Sequence, residues 1–255
     1  MKVAILAGGF GTRLSEYTDR VPKPMVEIGG RPILWHIMRN YAAQGYKEFV
    51  LALGYKGHLI KDFFLNYHAR SADCTVDLAS GSVLHHGGDH LDWQVTLVDT
   101  GIDTMTGGRV KRLFEHLGDE FFLTYGDGLS DVSLERLLAL HRARRSLVTV
   151  TAVHPSSRYG KLEIFAEDQV GRFVEKPEFA EDWINGGFFV MRKEFLRMIA
   201  DDTTVLEREP LEQASAAGRL HAYRHAGFWQ CMDTVRDLKL LEEHWYSGRA
   251  PWKNW

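Results

Sequence analysis

Cysteine is among the scarcest residues of this sequence, and its scarcity excludes a disulfide-stabilised fold. The 255 residues include two cysteines, Cys74 and Cys231, and neither stands at the spacing of a zinc or redox motif. So few thiols are typical of a protein from a reducing compartment. We therefore expect a cytoplasmic protein whose cysteines stay reduced.

Positive charge and long apolar runs are also in short supply. The 31 lysines and arginines are outnumbered by 34 aspartates and glutamates, which leaves a formal net charge of −3 and no basic cluster for a nucleic-acid backbone. No apolar run is long enough to span a membrane, and the run that begins at Val3 is too short for a signal-peptide core. We expect a protein that binds neither nucleic acid nor membrane and holds any anion with local groups.

The chain does contain a regular alternation of strand and helix patterns. Val3 to Leu6 is a short apolar run that ends at alanine and glycine, which is typical of a strand buried on both faces of a parallel sheet. The alternation continues with the strands "EFVLAL", "WQVTLVD" and "EFFLTY" and the helices "PILWHIMRNYAAQGY", "GHLIKDFFLNY", "GRVKRLFEHL" and "SLERLLALHRAR". This spacing predicts right-handed β-α-β units around a parallel sheet.

The second half of the chain changes this rhythm. After the strand "LVTVTAV", the run "KLEIFAEDQVGRFVEK" predicts two strands joined by a polar turn, and "INGGFFVM" predicts another, so antiparallel strands join the sheet. Helices are expected near Glu194 to Ile199 and Pro210 to Ala217, and a C-terminal helical segment at about 234–255. The alternation in "CTVDLA" predicts a projecting hairpin at about 69–92. Together the patterns predict a Rossmann-like, three-layer α/β fold with a mixed, mostly parallel sheet in a single domain, 1–255.

The glycine-rich stretch "LAGGFGTRL" follows the first predicted strand. Leu14 stands where a dinucleotide-binding motif has its third glycine, and the second strand ends "LALGYK" without the acid that such a motif needs for the ribose. Thr12 and Arg13 stand where a Walker loop has lysine and serine or threonine. Both failures disfavour an NAD-dependent oxidoreductase and a P-loop enzyme, and leave a loop whose backbone N–H groups can face an anion.

A second cationic segment, "VPKPM", follows the loop. We expect Pro22 and Pro24 to hold Lys23 in an extended, fixed segment. Arg13 and Lys23 together then form a candidate clamp for a triphosphate. The alternative interpretation is a glycine turn followed by two surface cations.

Several motifs in order along the chain resemble one family. The stretches "LAGGFGTRL", "KPM", "TYGDG", "FVEKP", "INGGFFV" and "GFWQCMDT" resemble the signature of the sugar-1-phosphate nucleotidylyltransferases. "VPKPMVEIGGRPILWHIM", "TLVDTG", "TMTGGR" and "GRAPWKNW" are similar to the branch of the family that uses CTP and glucose 1-phosphate. The resemblance implies a fold of the nucleotidyltransferase type, attack of the sugar phosphate on the α-phosphorus, and the products CDP-glucose and pyrophosphate. It also implies a homo-oligomer, in particular a hexamer, that makes precursors of deoxysugars for surface polysaccharides.

Two aspartates are the candidate metal ligands. Asp127 in "TYGDG" lies just past a buried strand between two glycines, where parallel sheets bind ligands, and Asp233 in "GFWQCMDT" is the second acid. Mg²⁺ is usually held by one or two carboxylates together with phosphates and water. The alternatives are a turn acid for Asp127 and a helix N-cap for Asp233.

The sugar phosphate is assigned to the motif "FVEKP". Lys176 stands before a proline that fixes it, so it can meet the phosphate, and Glu175 can accept hydrogen bonds from sugar hydroxyls. A solvated charge pair at a sheet edge is the alternative. The remaining sugar contacts rest on the resemblance: Tyr159, Gly160, Asn185 and Gly186.

The nucleotide is assigned to the opening loop and to residues 99–110, "DTGIDTMTGGRV". The predicted contacts are Leu6, Ala7, Gly8, Gly9, Gly11, Thr12, Arg13, Lys23, Thr104, Gly107, Gly108, Arg109 and Gly126. The Pro-x-Gly-Leu-Ala type of stretch found in thymidylyl and uridylyl relatives is absent from this place, which favours CTP. Use of dTTP, UTP or another sugar phosphate stays open, as does a flexible connection with no role in base selection.

An inert nucleotide-sugar-binding subunit is the alternative from another functional class. The chain retains the whole charge set expected for catalysis, Arg13, Lys23, Asp127, Lys176 and Asp233, for which an inert protein has no chemical need.

The three histidines in the run "HHGGDH" suggest a zinc site at first sight. We disfavour it because no fourth ligand stands at a zinc spacing. Cys231 lies close to Asp233 but is not needed as a nucleophile, since the phosphate of the substrate already serves as one. We expect it to be a small buried side chain.

Overall fold

The computed structural model describes residues 1–155, 161–165, 169–174 and 182–255, and at residues 13, 15, 161–164 and 172–174 it describes the backbone alone. The strands are β1 (Val3–Leu6), β2 (Glu27–Ile28), β3 (Arg31–Pro32), β4 (Glu48–Leu53), β5 (Asp73–Val76), β6 (Val83–His86), β7 (Gln94–Asp99), β8 (Glu120–Tyr125), β9 (Gly128–Ser130), β10 (Val148–Val153), β11 (Lys161–Ile164), β12 (Val170–Val174), β13 (Ile184–Arg192), β14 (Leu220–Arg224) and β15 (Trp229–Cys231). The α-helices are α1 (Ser15–Thr18), α2 (Ile33–Ala43), α3 (Gly57–Leu65), α4 (Tyr67–Ser71), α5 (Thr106–Arg112), α6 (Leu134–Ala143), α7 (Glu209–Ala216) and α8 (Val235–Tyr246). Short 3₁₀ helices occupy Thr12–Leu14, Lys23–Met25, Phe114–His116 and Lys193–Met198.

A seven-stranded sheet forms the middle of the molecule, in the order β14-β10-β13-β8-β1-β4-β7. Its neighbouring strands run parallel except where β13 pairs antiparallel with β10 and β8. The predicted mixed, mostly parallel sheet is therefore confirmed, and β13 carries the antiparallel pairing.

Alternate residues of the central strands face two separate apolar cores. Val3 and Ile5 of β1 belong to the core that receives α2 and α8, whereas Ala4 and Leu6 belong to the core that receives α5 and α7. Because both faces are covered, the strand sequences are apolar throughout rather than alternating. The predicted three layers are confirmed.

The projecting hairpin is confirmed as well. Strands β5 and β6 pair antiparallel, with Val76 opposite Val83, and every residue of both strands is exposed. Among the described residues, no member of either strand belongs to an apolar core cluster.

Four local predictions differ from the structure. Lys23 is not in an extended segment: Pro22 is extended, but Lys23 begins a 3₁₀ helix, because proline fits the first positions of a helix as well as an extended chain. The predicted helices "GRVKRLFEHL" and Glu194 to Ile199 are each partly or wholly 3₁₀. The helical segment predicted for 234–255 ends at Tyr246, where Gly248 adopts a φ of +71°.

The C-terminal residues beyond α8 fold back onto α2. Trp252 is fully buried and its ring lies against His36 and Phe228. His36 is buried too, with its Nε2 2.8 Å from the carbonyl oxygen of Ile28. Burial lowers the pKa of His36 to about 4, so the ring is neutral at physiological pH.

No helix in the described part of the chain is long and apolar enough to cross a bilayer.

We expect His36 to make stability depend on pH. Its pKa is about 4 in the folded state and about 6.5 in an unfolded chain, so the unfolded state takes up the proton first. The contribution of the neutral ring to the free energy of unfolding is complete above about pH 6.5 and is lost as the pH falls towards 4. In total it amounts to about 3 kcal/mol. Urea unfolding of the wild type and His36→Gln at about pH 7.5 and 4.5 measures it. The wild type should lose more stability than the variant, and equal losses would refute the assignment.

Candidate functional site

The glycine loop leaves β1 at the carboxyl edge of the sheet. The amide of Ala7 donates to the carbonyl of Ala52 (3.0 Å), and the carbonyl of Gly8 accepts from the amide of Tyr55 (3.1 Å), which fixes the loop to the end of β4. Gly11 has a φ of +65°, a conformation that favours glycine, and the chain then turns into a 3₁₀ helix. Backbone groups are thus placed where open α/β sheets bind ligands.

A cavity of about 730 Å³ lies beside this loop. Ten of the predicted nucleotide contacts line it: Leu6, Ala7, Gly8, Gly9, Gly11, Thr12, Lys23, Thr104, Arg109 and Gly126. Sequence reasoning missed other lining residues, including Phe10, Met105, Thr106 and Tyr125. We call this space the first cavity; its volume is in the range of small-molecule sites.

A second cavity, of about 310 Å³, adjoins the first. It is lined by Thr124, Tyr125, Asp127, Gly128, Asn185, Gly186, Gly187, Trp229, Cys231 and Asp233. The two cavities share Tyr125 and Asp127, so a group bound in one can reach a group bound in the other at Asp127.

A lysine and two aspartates meet at this junction. Lys23 Nζ lies 2.6 Å from Asp127 Oδ2 and 2.6 Å from Asp233 Oδ1. Burial alone would lower the pKa of Lys23, but the charge of Asp127 and the hydrogen bonds to both carboxylates outweigh burial and raise it. Lys23 therefore stays charged and neutralises part of the negative charge of the two acids.

A pair of three-residue strands brings the two aspartates together. Strand β9 follows Asp127 directly and pairs antiparallel with β15, which ends two residues before Asp233. The amide of Met232 also donates to the carbonyl of Asp127 (2.9 Å). Sequence reasoning predicted both acids but not this pairing, because three residues are too short to give a periodic pattern.

The donor set at the junction fits a hard divalent cation. Ligand atoms of Asp127, Cys231 and Asp233 lie within 4.8 Å of one another. Burial and the charge of Asp127 raise the pKa of Cys231, so its thiol stays protonated and is a poor ligand. The two carboxylates remain. Mg²⁺ is usually bound by one or two carboxylates together with substrate phosphates and water.

Arg109 is engaged with the protein itself. Its Nη1 donates to the carbonyls of Leu53 (3.1 Å) and Gly101 (2.7 Å) and to Thr100 Oγ1 (2.8 Å), and its Nη2 donates to the carbonyl of Ile102 (3.0 Å). The guanidinium thus holds the turn after β7 in place along the wall of the first cavity. Its predicted contact with a nucleotide stays a prediction.

Gly107 and Gly108 lie against another segment of the chain. A Cβ at Gly107 would stand 2.7 Å from the carbonyl oxygen of Thr204, and one at Gly108 would stand 2.5 Å from the Cα of Asp202. Neither glycine lines the first cavity. They allow close packing of α5 on residues 202–204, and a direct approach to the nucleotide stays a prediction.

The predicted sugar-phosphate residues are only partly described. Asn185 and Gly186 line the second cavity, at the start of β13. The Nε1 of Trp229, which sequence reasoning did not single out, donates to the carbonyl of Gly186 (2.7 Å). Tyr159, Gly160, Glu175 and Lys176 lie outside the described residues, and so does the side chain of Arg13.

Both the sequence and the fold are similar to those of known proteins. The sequence profile of the nucleotidyl transferase family matches residues 2–230. The chain is 48% identical to glucose-1-phosphate cytidylyltransferase of Salmonella typhimurium and 42% identical to a probable glucose-1-phosphate cytidylyltransferase of Bacillus subtilis, over the full length of both partners in each case. The fold is similar to that of a UDP-glucose pyrophosphorylase solved with UDP-glucose, at 16% identity and a TM-score of 0.69 over 97% of this chain and 99% of that one.

We expect Gly8→Ala to be destabilising and Gly9→Ala to be tolerated. A Cβ at Gly8 would stand 2.4 Å from Arg109 Nη1, whereas one at Gly9 has no atom within 4 Å, and neither residue has a left-handed φ. The added methyl group would overlap the buried guanidinium of Arg109, which is already held by four hydrogen bonds. We expect this overlap to lower the free energy of unfolding by about 1–3 kcal/mol. Urea unfolding of both variants measures this cost, and equal stability of the two variants would contradict the packing argument.

Proposed function

The chain belongs to the nucleotidyl transferase family, and we propose that it transfers a cytidylyl group from CTP to α-D-glucose 1-phosphate, giving CDP-glucose and pyrophosphate. Full-length relatives of 48% and 42% identity carry the name of this activity. The observation that carries the proposal is the junction of two cavities at Asp127, with Lys23 and Asp233 beside it. Such a site can bring two phosphate-bearing substrates together.

The larger cavity suits the nucleotide and the smaller one the sugar phosphate. The first cavity has the glycine loop along its wall, whose amides can meet phosphate oxygens. The second has the amide side chain of Asn185 and the bare backbone of Gly186 and Gly187, which can meet sugar hydroxyls.

The transfer itself needs little proton chemistry. An oxygen of the sugar phosphate, already ionised at neutral pH, forms a bond to the α-phosphorus, and the bond from that phosphorus to the bridging oxygen of pyrophosphate breaks. Positioning and charge neutralisation then account for most of the catalysis. Lys23 stands at the junction for this purpose, and Arg13 is the second cation that we assign to the triphosphate.

A divalent metal ion is the general cofactor of this family, and we propose Mg²⁺ for this chain. Asp127 and Asp233 would hold it. When bound, the ion supplies positive charge to the phosphate oxygens. The protein contributes the two carboxylates, fixed by the pairing of β9 with β15.

The choice of CTP is assigned to the walls of the first cavity. Cytosine presents an amino donor where uracil and thymine present a carbonyl acceptor, so its site needs an acceptor such as a backbone carbonyl. Ile102, in the turn that Arg109 holds, and the nearby Thr104 form one wall. A base that leaves a buried polar group unpaired should be rejected by about 10²-fold or more.

The quaternary structure, the cellular location and the domain organisation are further proposals. We propose a homo-oligomer, in particular a hexamer, in the cytoplasm, and one domain over 1–255. The exposed β5–β6 hairpin supports the first proposal, since Val76, Val83 and Leu84 are half or more exposed and a two-stranded ribbon is marginally stable alone.

A substrate panel tests the proposed reaction. Pyrophosphate release is measured with α-D-glucose 1-phosphate, Mg²⁺ and CTP, UTP, dTTP, ATP or GTP in turn. We expect kcat/KM for CTP to exceed the values for UTP and dTTP by about 10²-fold or more. A preference for UTP or dTTP would refute the cytidylyl assignment, and no pyrophosphate release with any triphosphate would refute α-D-glucose 1-phosphate as the substrate.

We also expect Asp127→Asn and Asp233→Asn each to lower kcat by at least about 10²-fold, because each change removes a negative ligand at the reacting phosphate. Asp92→Asn is the matched control, since Asp92 lies in an exposed ion pair with Lys47. Thermal melting of each variant checks the fold. Turnover of Asp127→Asn near the wild-type value at limiting Mg²⁺ would show that Asp127 is not a metal ligand.

A further inference from the structure

Tyr125 stands between the two cavities and is held on several sides. It is the last residue of β8 and lines both cavities. Its ring lies on Gly187, where a Cβ would come within 2.6 Å of the ring, and meets Phe189 edge-on at 6.0 Å between centroids. Its hydroxyl accepts from Asn185 Nδ2 (3.4 Å). The ring and the hydroxyl therefore form part of the wall that separates the two binding spaces.

The hydroxyl of Tyr125 donates to Glu207, and this carboxylate has a second donor. Its Oε1 accepts from Tyr125, and its Oε2 accepts from Thr106 Oγ1 at 2.7 Å. One carboxylate thus connects the wall between the cavities with the first residue of α5.

The segment that carries Glu207 also supports the base-facing wall of the first cavity. The amides of Met105 and Gly107 donate to the carbonyls of Asp202 (2.8 Å) and Thr204 (3.0 Å), and Thr106 Oγ1 accepts from the amide of Leu206 (2.9 Å). Glu207 itself is exposed and lines neither cavity. Any effect of Glu207 on substrates must therefore pass through Thr106, Tyr125 or the segment itself.

We propose that Glu207 is a positioning residue that couples the two cavities, holding Thr106 in the wall of the first and, through Tyr125, Asn185 in the wall of the second. The inference rests on the proposed assignment of the first cavity to the nucleotide and the second to the sugar phosphate. A substrate that orders Thr106 fixes the position of Glu207 Oε2, which accepts from Thr106. Because both oxygens belong to one carboxylate, Oε1 is then held at the hydroxyl of Tyr125. Binding in one cavity then prepares the wall of the other.

The coupling predicts a specific pattern of KM values. Glu207→Gln keeps the shape of the side chain but replaces one acceptor oxygen and removes the charge, so KM should rise about tenfold for both CTP and glucose 1-phosphate. Tyr125→Phe leaves the Thr106–Glu207 contact in place, so KM should rise about tenfold for glucose 1-phosphate and stay within about twofold for CTP. For Glu207→Gln, kcat should stay within about threefold, since Glu207 lines neither cavity.

The double variant Tyr125→Phe/Glu207→Gln separates coupling from independent contacts. If the two groups act as one unit, KM of the double variant for glucose 1-phosphate should equal that of either single variant within about twofold. Asp202→Asn is the matched control on the same segment. Asp202 forms an exposed ion pair with Arg112, with 2.8 Å from Arg112 Nε to Asp202 Oδ1, and this pair also joins the segment to α5. Because the pair does not reach Tyr125, both KM values of Asp202→Asn should stay within about twofold.

Three results would overturn the proposal: a rise in only one KM for Glu207→Gln, no rise beyond twofold in either, or multiplied effects in the double variant. Thermal melting checks the fold of each variant, and Glu207→Asp, which withdraws the carboxylate by one methylene, gives a second test if Glu207→Gln does not fold. If the wild type used another triphosphate or sugar phosphate, the proposed function would fail. The same comparison with the pair that it does use would still decide the role of Glu207.

Discussion

The attraction between Lys23 and the carboxylates of Asp127 and Asp233 is the interaction on which the site depends. It joins three parts of the chain that lie far apart in sequence, at 2.6 Å on both sides. Two carboxylates at such close quarters repel each other, and the ammonium group of Lys23 between them offsets that repulsion. The charge of Lys23 is therefore what allows the two acids to lie side by side where the cavities meet.

The sheet places this charge cluster at a useful edge. Strands β1 and β8 pair in parallel, with Leu6 opposite Tyr125, so the glycine loop and the Asp127 turn emerge side by side. Rigid strands buried on both faces fix the positions where these loops begin. The charged groups then need only short loops to reach one another, which limits the conformational entropy lost when they are ordered.

Sequence patterns predicted the regular part of the molecule and the residue types of the site, but not the contacts between them. The parallel strands were predictable because apolar runs such as "EFVLAL" and "EFFLTY" coincide with β4 and β8. The β9–β15 ladder, the partners of Arg109 and the bridge at Glu207 join residues distant in sequence, and local periodicity carries no information about such pairs. Glu207 in particular lies in a polar run, "VLEREP", in which a solvated surface is the ordinary expectation.

The reversed direction of β13 makes the register of the sheet independent of the length of chain between β10 and β13. Strand β10 ends and β13 begins at the same edge, where Ala152 pairs with Asn185 and Val153 with Ile184. Residues 154–183 therefore leave and re-enter the sheet at neighbouring positions. An excursion whose two ends are anchored side by side can change in length and sequence without shifting the register of either strand. Residues between β10 and β13 can therefore be replaced without disturbing the sheet or the charge cluster at its edge.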